Sequence, residues 1–109
     1  MSISKQPVIF VYITAADSRE ARKIGYELVQ SRLAACINIF PQMKSIYRWQ
    51  GKIEQSNEVV MIAKTKKALF KKVEKKVLSM HSYSCPCIIK IPVSGGNKKY
   101  MKWLLGETR

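Results

Sequence analysis

Residues Pro7–Thr14, PVIFVYIT, form an almost unbroken β-branched and aromatic run, the pattern of a central strand buried on both faces. Asp17 follows in an N-cap position with Glu20 three residues on, an aspartate version of the capping box. Ala21, Ile24, Leu28 and Leu33 then supply the apolar stripe of a first helix. From Ala34 the period changes. Two extended arms, Ala34–Trp49 and Lys52–Lys64, flank Gln50-Gly51, which predicts one long hairpin closed by a tight turn. At ~3.3 Å per residue the first arm alone approaches ~50 Å, against ~17–20 Å for a usual strand. Pro41 offers no N–H and must interrupt its ladder. Thr65 stands where it would cap a second helix over Lys66–Met80. Ser82–Pro86 reads as irregular, because Pro86 disfavours helical geometry in the residue before it. Cys87–Val93 makes a last short strand, with Pro92 suited to an edge or strand end. Gly95-Gly96-Asn97 turns the chain into a short closing helix marked by Tyr100, Trp103 and Leu104.

The order is β-α-β-β-α-β plus a terminal helix. It predicts an α+β fold, a ferredoxin-like βαββαβ sandwich with an extra C-terminal helix, one antiparallel sheet and helices on one face. That fold hosts many functions and decides none. The hairpin says more. Beyond Pro41, Tyr47 and Trp49 fall on one face of the ribbon and Ile46 on the other. Such an overhang exposes unpaired backbone and apolar surface unless another chain covers it. The ribbon therefore reads as an assembly device.

Composition narrows the class. The 109 residues suit one domain over 1–109 with one core. No apolar run approaches the ~20 residues of a membrane helix. The start, MSISKQP, lacks the features of a signal peptide, so a cytoplasmic address is expected. Three cysteines, Cys36, Cys85 and Cys87, are an odd count that argues against a disulfide framework. Cys36, within AACINIF, reads as a small core residue. The formal net charge of +13 permits nucleic acid, anionic lipid or phosphorylated ligands as partners. Lys71, Lys72, Lys75 and Lys76 nevertheless oppose Leu69, Val73, Val77 and Met80 on the second helix, as a solvated outer face does. Nucleic acid is thereby disfavoured as a partner, while a small anion would suit the basic helices.

A nucleophile-and-base enzyme is hard to assemble. His81 is the one histidine, and no nucleophile elbow, P-loop or dinucleotide fingerprint occurs. No catalytic residue and no organic cofactor are expected. An acylphosphatase of this fold would want an arginine and a phosphate-cradling loop after the first strand, where Thr14-Ala15-Ala16-Asp17 stands. An RNA-binding domain of this fold would want aromatic residues on the third strand, where Glu58–Ala63 has none. A copper chaperone would carry paired cysteines between the first strand and first helix, and that loop has none. What remains is Met80–Cys87, which gathers a thioether, an imidazole and two thiols. His81, Met80, Cys85 and Cys87 are candidate metal ligands for copper or another divalent ion, since soft sulfur favours Cu(I) or zinc. The same pattern also describes two partly buried cysteines and a histidine bonded to backbone. Arg32 could meet the last carbonyls of the first helix, or bind an anion.

Two stretches carry a family likeness. Arg32-Leu33-Ala34-Ala35-Cys36-Ile37-Asn38-Ile39 and Ser45-Ile46-Tyr47-Arg48-Trp49-Gln50-Gly51-Lys52-Ile53-Glu54 resemble the CutA divalent-cation tolerance family. His81-x-Tyr83-x-x-Pro86 and Gly96-Asn97-x-x-Tyr100-x-x-Trp103 extend the resemblance, so that it covers Val8 to Leu104. It implies a tight homotrimer resembling PII-type signalling proteins, with hairpin arms paired across subunits. It also implies a role in tolerance of copper and other divalent metals in bacteria, a trimeric anchor role in some eukaryotic relatives, and no catalysis. The ligand region it implies is an inter-subunit cleft near the strand-one loop, Lys64 and the His81–Pro86 segment. The chain departs from the pattern at three places. Ile13 stands where some relatives have cysteine, Met80 stands where they have a second histidine, and a His-Pro-Tyr-Glu-x-Pro-Glu signature has become His81-Ser82-Tyr83-Ser84-Cys85-Pro86-Cys87. The loss of both glutamates argues against a carboxylate-bound hard cation, and the gained thiols favour softer metals.

Overall fold

The computed structural model describes residues 7–109, and the leader reading of the first residues lies outside that range except at Pro7. Strand β1 (Val8–Ala15) leads into helix α1 (Ser18–Gln30), then the ribbon strands β2 (Cys36–Trp49) and β3 (Lys52–Lys66). A 3-10 turn at Lys67–Leu69 precedes α2 (Phe70–Met80), followed by β4 (Ile88–Val93) and α3 (Lys98–Gly106). The sheet order is β2-β3-β1-β4 and each pairing is antiparallel, as the expected ferredoxin-like sandwich requires.

Alternation along β1 sorts the two faces. Ile9, Val11, Ile13 and Ala15 point into a core completed by Ala21, Ile24 and Leu28 of α1, Val73 and Val77 of α2, and Val59, Met61 and Ala63 of β3. Phe10 and Tyr12, on the opposite face, are half-buried. Gly25 lets α1 approach the sheet closely, since a Cβ there would stand 3.0 Å from Ile37 Cγ2.

The ribbon is as long as its sequence implies. Only Val59–Lys66 of β3 pairs with β1, so among the described residues Lys52–Glu58 is held by β2 alone. The ladder shifts register between Phe40 and Met43, around Pro41 and a left-handed Gln42 at φ 64°. The tip turns at Gln50 (φ 51°) and Gly51 (φ 81°), positive angles at both central positions as tight hairpins demand.

Three local expectations are corrected. Thr65 does not cap the second helix: it lies in β3 opposite Ile9, and its buried hydroxyl donates to the Leu33 carbonyl at 2.7 Å. The α2 start has no side-chain cap. Leu33 lies beyond α1, which ends at Gln30. The Arg32 and Leu33 N–H groups donate back to Val29 and Leu28 carbonyls at 3.0 and 2.9 Å, a Schellman closure that folds Leu33 onto the core. Arg32 occupies the left-handed position of that closure at φ 64°, where glycine is usual. Its guanidinium does not meet the carbonyls of α1. It donates to Gly106 and Glu107 carbonyls at 3.1 and 3.3 Å, while the Arg109 N–H donates to the Arg32 carbonyl. The end of α3 is thereby tied to the end of α1, with Leu104 and Thr108 buried between. Arg32→Ala should cost about 1–2 kcal/mol in denaturant unfolding, given two charge-assisted bonds at a partly exposed site. It should also raise amide exchange selectively across α3. Unchanged protection there would contradict the tether.

Candidate functional site

The loop after β1 and the segment after α2 are clamped together by one carboxylate and one imidazole. Asp17 caps α1 by accepting from the Glu20 N–H at 2.8 Å, and Glu20 Oε1 accepts from the Ala16 N–H at 3.0 Å. The first bond is the expected forward half of the capping box, while the reciprocal bond comes from Ala16, one residue before the cap. The glutamate does more, because Oε2 also accepts from the Ser82 N–H at 2.8 Å. Burial by itself raises the Glu20 pKa, but the bonds from Ala16 and Ser82 and the neighbouring His81 outweigh it and hold the carboxyl below its ordinary range.

His81 has a fully buried side chain. Its Nδ1 accepts from the Tyr83 N–H at 3.0 Å, so Nε2 carries the proton and donates to the Thr14 carbonyl at 2.7 Å. Both ring nitrogens are thus engaged in holding backbone. Met80 packs against the core. Neither residue lines the adjacent cleft.

That cleft, about 370 Å³, is lined by Thr14, Tyr47, Trp49, Glu58, Tyr83, Ser84, Cys85 and Cys87. The ribbon supplies one wall, since Tyr47, Trp49 and Glu58 share a face by the pairing of Trp49 with Lys52 and Tyr47 with Glu54. The segment after α2 supplies the other. Tyr83 Oη donates to Glu58 Oε2 at 2.8 Å, and burial followed by this bond pushes the phenol well above its ordinary pKa. Cys85 is exposed and Cys87 half-buried. Burial first, then the Glu58 charge, raises the Cys87 thiol.

The structure therefore brings Cys85 and Cys87 to one cleft and places His81 and Met80 outside it. Among the described residues no three His, Cys, Asp or Glu side chains converge on a point that could hold a metal ion. Lys64 lies elsewhere, with Nζ 3.3 Å from Tyr100 Oη and over the Phe10 and Tyr100 rings. Cys36 is half-buried rather than a fully enclosed core residue. Thr14 and Tyr83 fall within the strand-one loop and the His81–Pro86 segment where the cleft was expected, whereas Glu58 escaped the sequence reading. The available signal was parity along the ribbon, which sets Glu58 on the face of Tyr47 and Trp49.

Comparison with known proteins places this geometry. The pattern of the family described as "CutA1 divalent ion tolerance protein" matches residues 9–107. The chain is 46% identical over 95 residues to the divalent-cation tolerance protein CutA of Archaeoglobus fulgidus, covering 87% of this chain and 92% of that protein. A structure of the Archaeoglobus protein, described as periplasmic, superposes with TM-score 0.87 at 45% identity over 89% of this chain and 94% of that one. The chloroplastic CutA protein of Arabidopsis thaliana is 38% identical over 103 residues, 94% of this chain but 57% of that protein. The chain thus spans little more than half of that relative's length. A divalent cation tolerance protein structure from Thermus thermophilus superposes with TM-score 0.92 at 39% identity, covering 94% of this chain and 99% of that one.

The clamp has a pH signature. A carboxyl held low stabilises the fold fully above the ordinary glutamate value of about 4.3, and loses that contribution as pH falls through its folded value. Glu20→Gln should lower stability at neutral pH and flatten the decline below about pH 4.3. Parallel curves for the two proteins, measured by urea unfolding, would contradict the clamp.

Proposed function

The chain belongs to the CutA1 divalent ion tolerance protein family, and on that premise we propose that it is a non-catalytic, homotrimeric metal-response protein of PII-like architecture. Its subunits cover one another's ribbons, and its thiol cleft takes up a soft metal ion. The carrying observation is that Cys85 and Cys87 share a cleft with Tyr47 and Trp49 of the ribbon. Ile46 and Ile53 at the ribbon tip are each 67% exposed, apolar surface of the kind that association buries. A ligand bound beside such a tip is sensitive to assembly.

The donor set selects the ion. Two thiols suit copper as Cu(I), a soft ion content with sulfur. They do not supply the six to eight oxygens that a hard cation such as calcium prefers. His81 and Met80 stand behind the cleft as structural supports: the first holds Thr14 and Tyr83, the second packs on the core. Cys87 is held protonated by burial and Glu58, so metal uptake releases a proton and weakens as pH falls.

Three free cysteines suit a reducing compartment, and the cytoplasm is the proposed location. Among the described residues no helix is long and apolar enough to cross a membrane.

Anaerobic titration of the reduced protein with Cu(I), against a coloured competing chelator, tests the metal reading. Binding should be stoichiometric, should weaken from about pH 8 to about pH 6, and should fall at least tenfold in the Cys85→Ser/Cys87→Ser double variant. Cys36→Ser and Met80→Leu should leave it unchanged. Equal binding by the double variant would overturn the thiol assignment.

A further inference from the structure

The helical layer carries a second concavity, remote in character from the thiol cleft. It holds about 290 Å³ and is lined by Leu33, Lys72, Lys75, Lys76 and Ser79. Positions 72, 75, 76 and 79 follow i, i+3, i+4 and i+7 spacing and so share one face of α2. One of the three ammonium groups is committed, with Lys76 Nζ 3.5 Å from the Glu27 carboxylate. Lys72 and Lys75 are exposed and pair with no carboxylate among the described residues.

Apart from Glu27 and Glu74, the surroundings add to this charge. Residues 67–80 carry five lysines against one glutamate, and the whole chain stands at +13. Like charges one turn apart repel, and exposed lysine heads around a recess lined by their own stems and Leu33 raise the local concentration of anions at its mouth. Lysine meets phosphate as a point charge, without the planar fork by which arginine reads geometry. No aromatic ring lines the recess, so it lacks the stacking platform on which single-stranded nucleic acid is held. Its recognition is therefore of charge density in a compact ligand.

We propose that this groove binds a condensed phosphate chain, the triphosphate group of inorganic tripolyphosphate or of a nucleoside triphosphate, through Lys72 and Lys75. The site is independent of the metal reading and uses none of its residues. Calorimetric titration of the full-length chain at low and moderate salt, with tripolyphosphate, ATP and AMP, tests it. Tripolyphosphate and ATP should bind within about threefold of each other, and AMP at least tenfold more weakly. Lys72→Ala/Lys75→Ala should weaken tripolyphosphate at least tenfold, whereas Lys98→Ala/Lys99→Ala, an equal charge loss on α3, should change it less than twofold. Glu27→Gln, which frees Lys76, should tighten it. All four lysines are exposed, so the folded state should survive, as circular dichroism would verify. Equal losses in the two double variants would overturn the proposal in favour of net charge alone. ATP binding far tighter than tripolyphosphate, or duplex DNA outcompeting tripolyphosphate, would overturn it as well.

Discussion

Backbone pairing between β2 and β3 governs this molecule. The two strands run fourteen and fifteen residues, yet β1 supports β3 only from Val59 onward. The outer half is a two-stranded ribbon, which alone is marginal in water. It carries Ile46 and Ile53 on one face and Tyr47 and Trp49 on the other, all exposed in the single chain. The molecule is accordingly drawn out, 50 Å along one axis against 25 and 23 Å along the others. A ribbon with apolar side chains on both faces and open backbone edges needs a partner surface. The self-association proposed above rests on that need more than on any single contact.

The candidate site inherits its shape from the same ribbon. One wall consists of ribbon side chains, and the other is the loop between α2 and β4. Glu20 and His81 tie that loop to the end of β1 and the loop that follows it. One carboxylate accepts from Ala16 and Ser82 while one imidazole spans Thr14 and Tyr83, so two loops far apart in sequence become one rigid edge. Tyr83 then crosses the gap to Glu58 on the ribbon. The residue most suggestive of metal chemistry thus serves as a structural brace, and the thiols that it positions are the groups left facing the cleft.

Much of this was legible from local pattern. Alternation in β1, the Asp17 cap, the break at Pro41 and the Gln50-Gly51 turn each depend on neighbours within a few residues, and each appears where the pattern put it. The misreadings share a cause. Thr65 bonds a carbonyl 32 residues away and Arg32 bonds carbonyls 74 and 75 residues away, while the backbone bond expected as one alternative for His81 finds its partner 67 residues away. No periodicity encodes such partners, because the fold decides which distant carbonyl lacks a donor. The cleft was partly legible: Cys85 and Cys87 stood out by chemistry, whereas Glu58 required knowing that the ribbon curls its Tyr47 face toward the loop after α2. The lysines of α2 were visible as a charged face, but the recess between them and Leu33 depends on the turn that Arg32 closes.

The mass of the folded protein in solution tests the central claim most directly. Sedimentation equilibrium at micromolar concentration should give a single species near three times the 12.5 kDa subunit. Trp49→Glu with Ile53→Glu at the ribbon tip should shift it toward smaller, less stable forms. A wild-type chain that sediments at 12.5 kDa while remaining cooperatively folded would contradict the account.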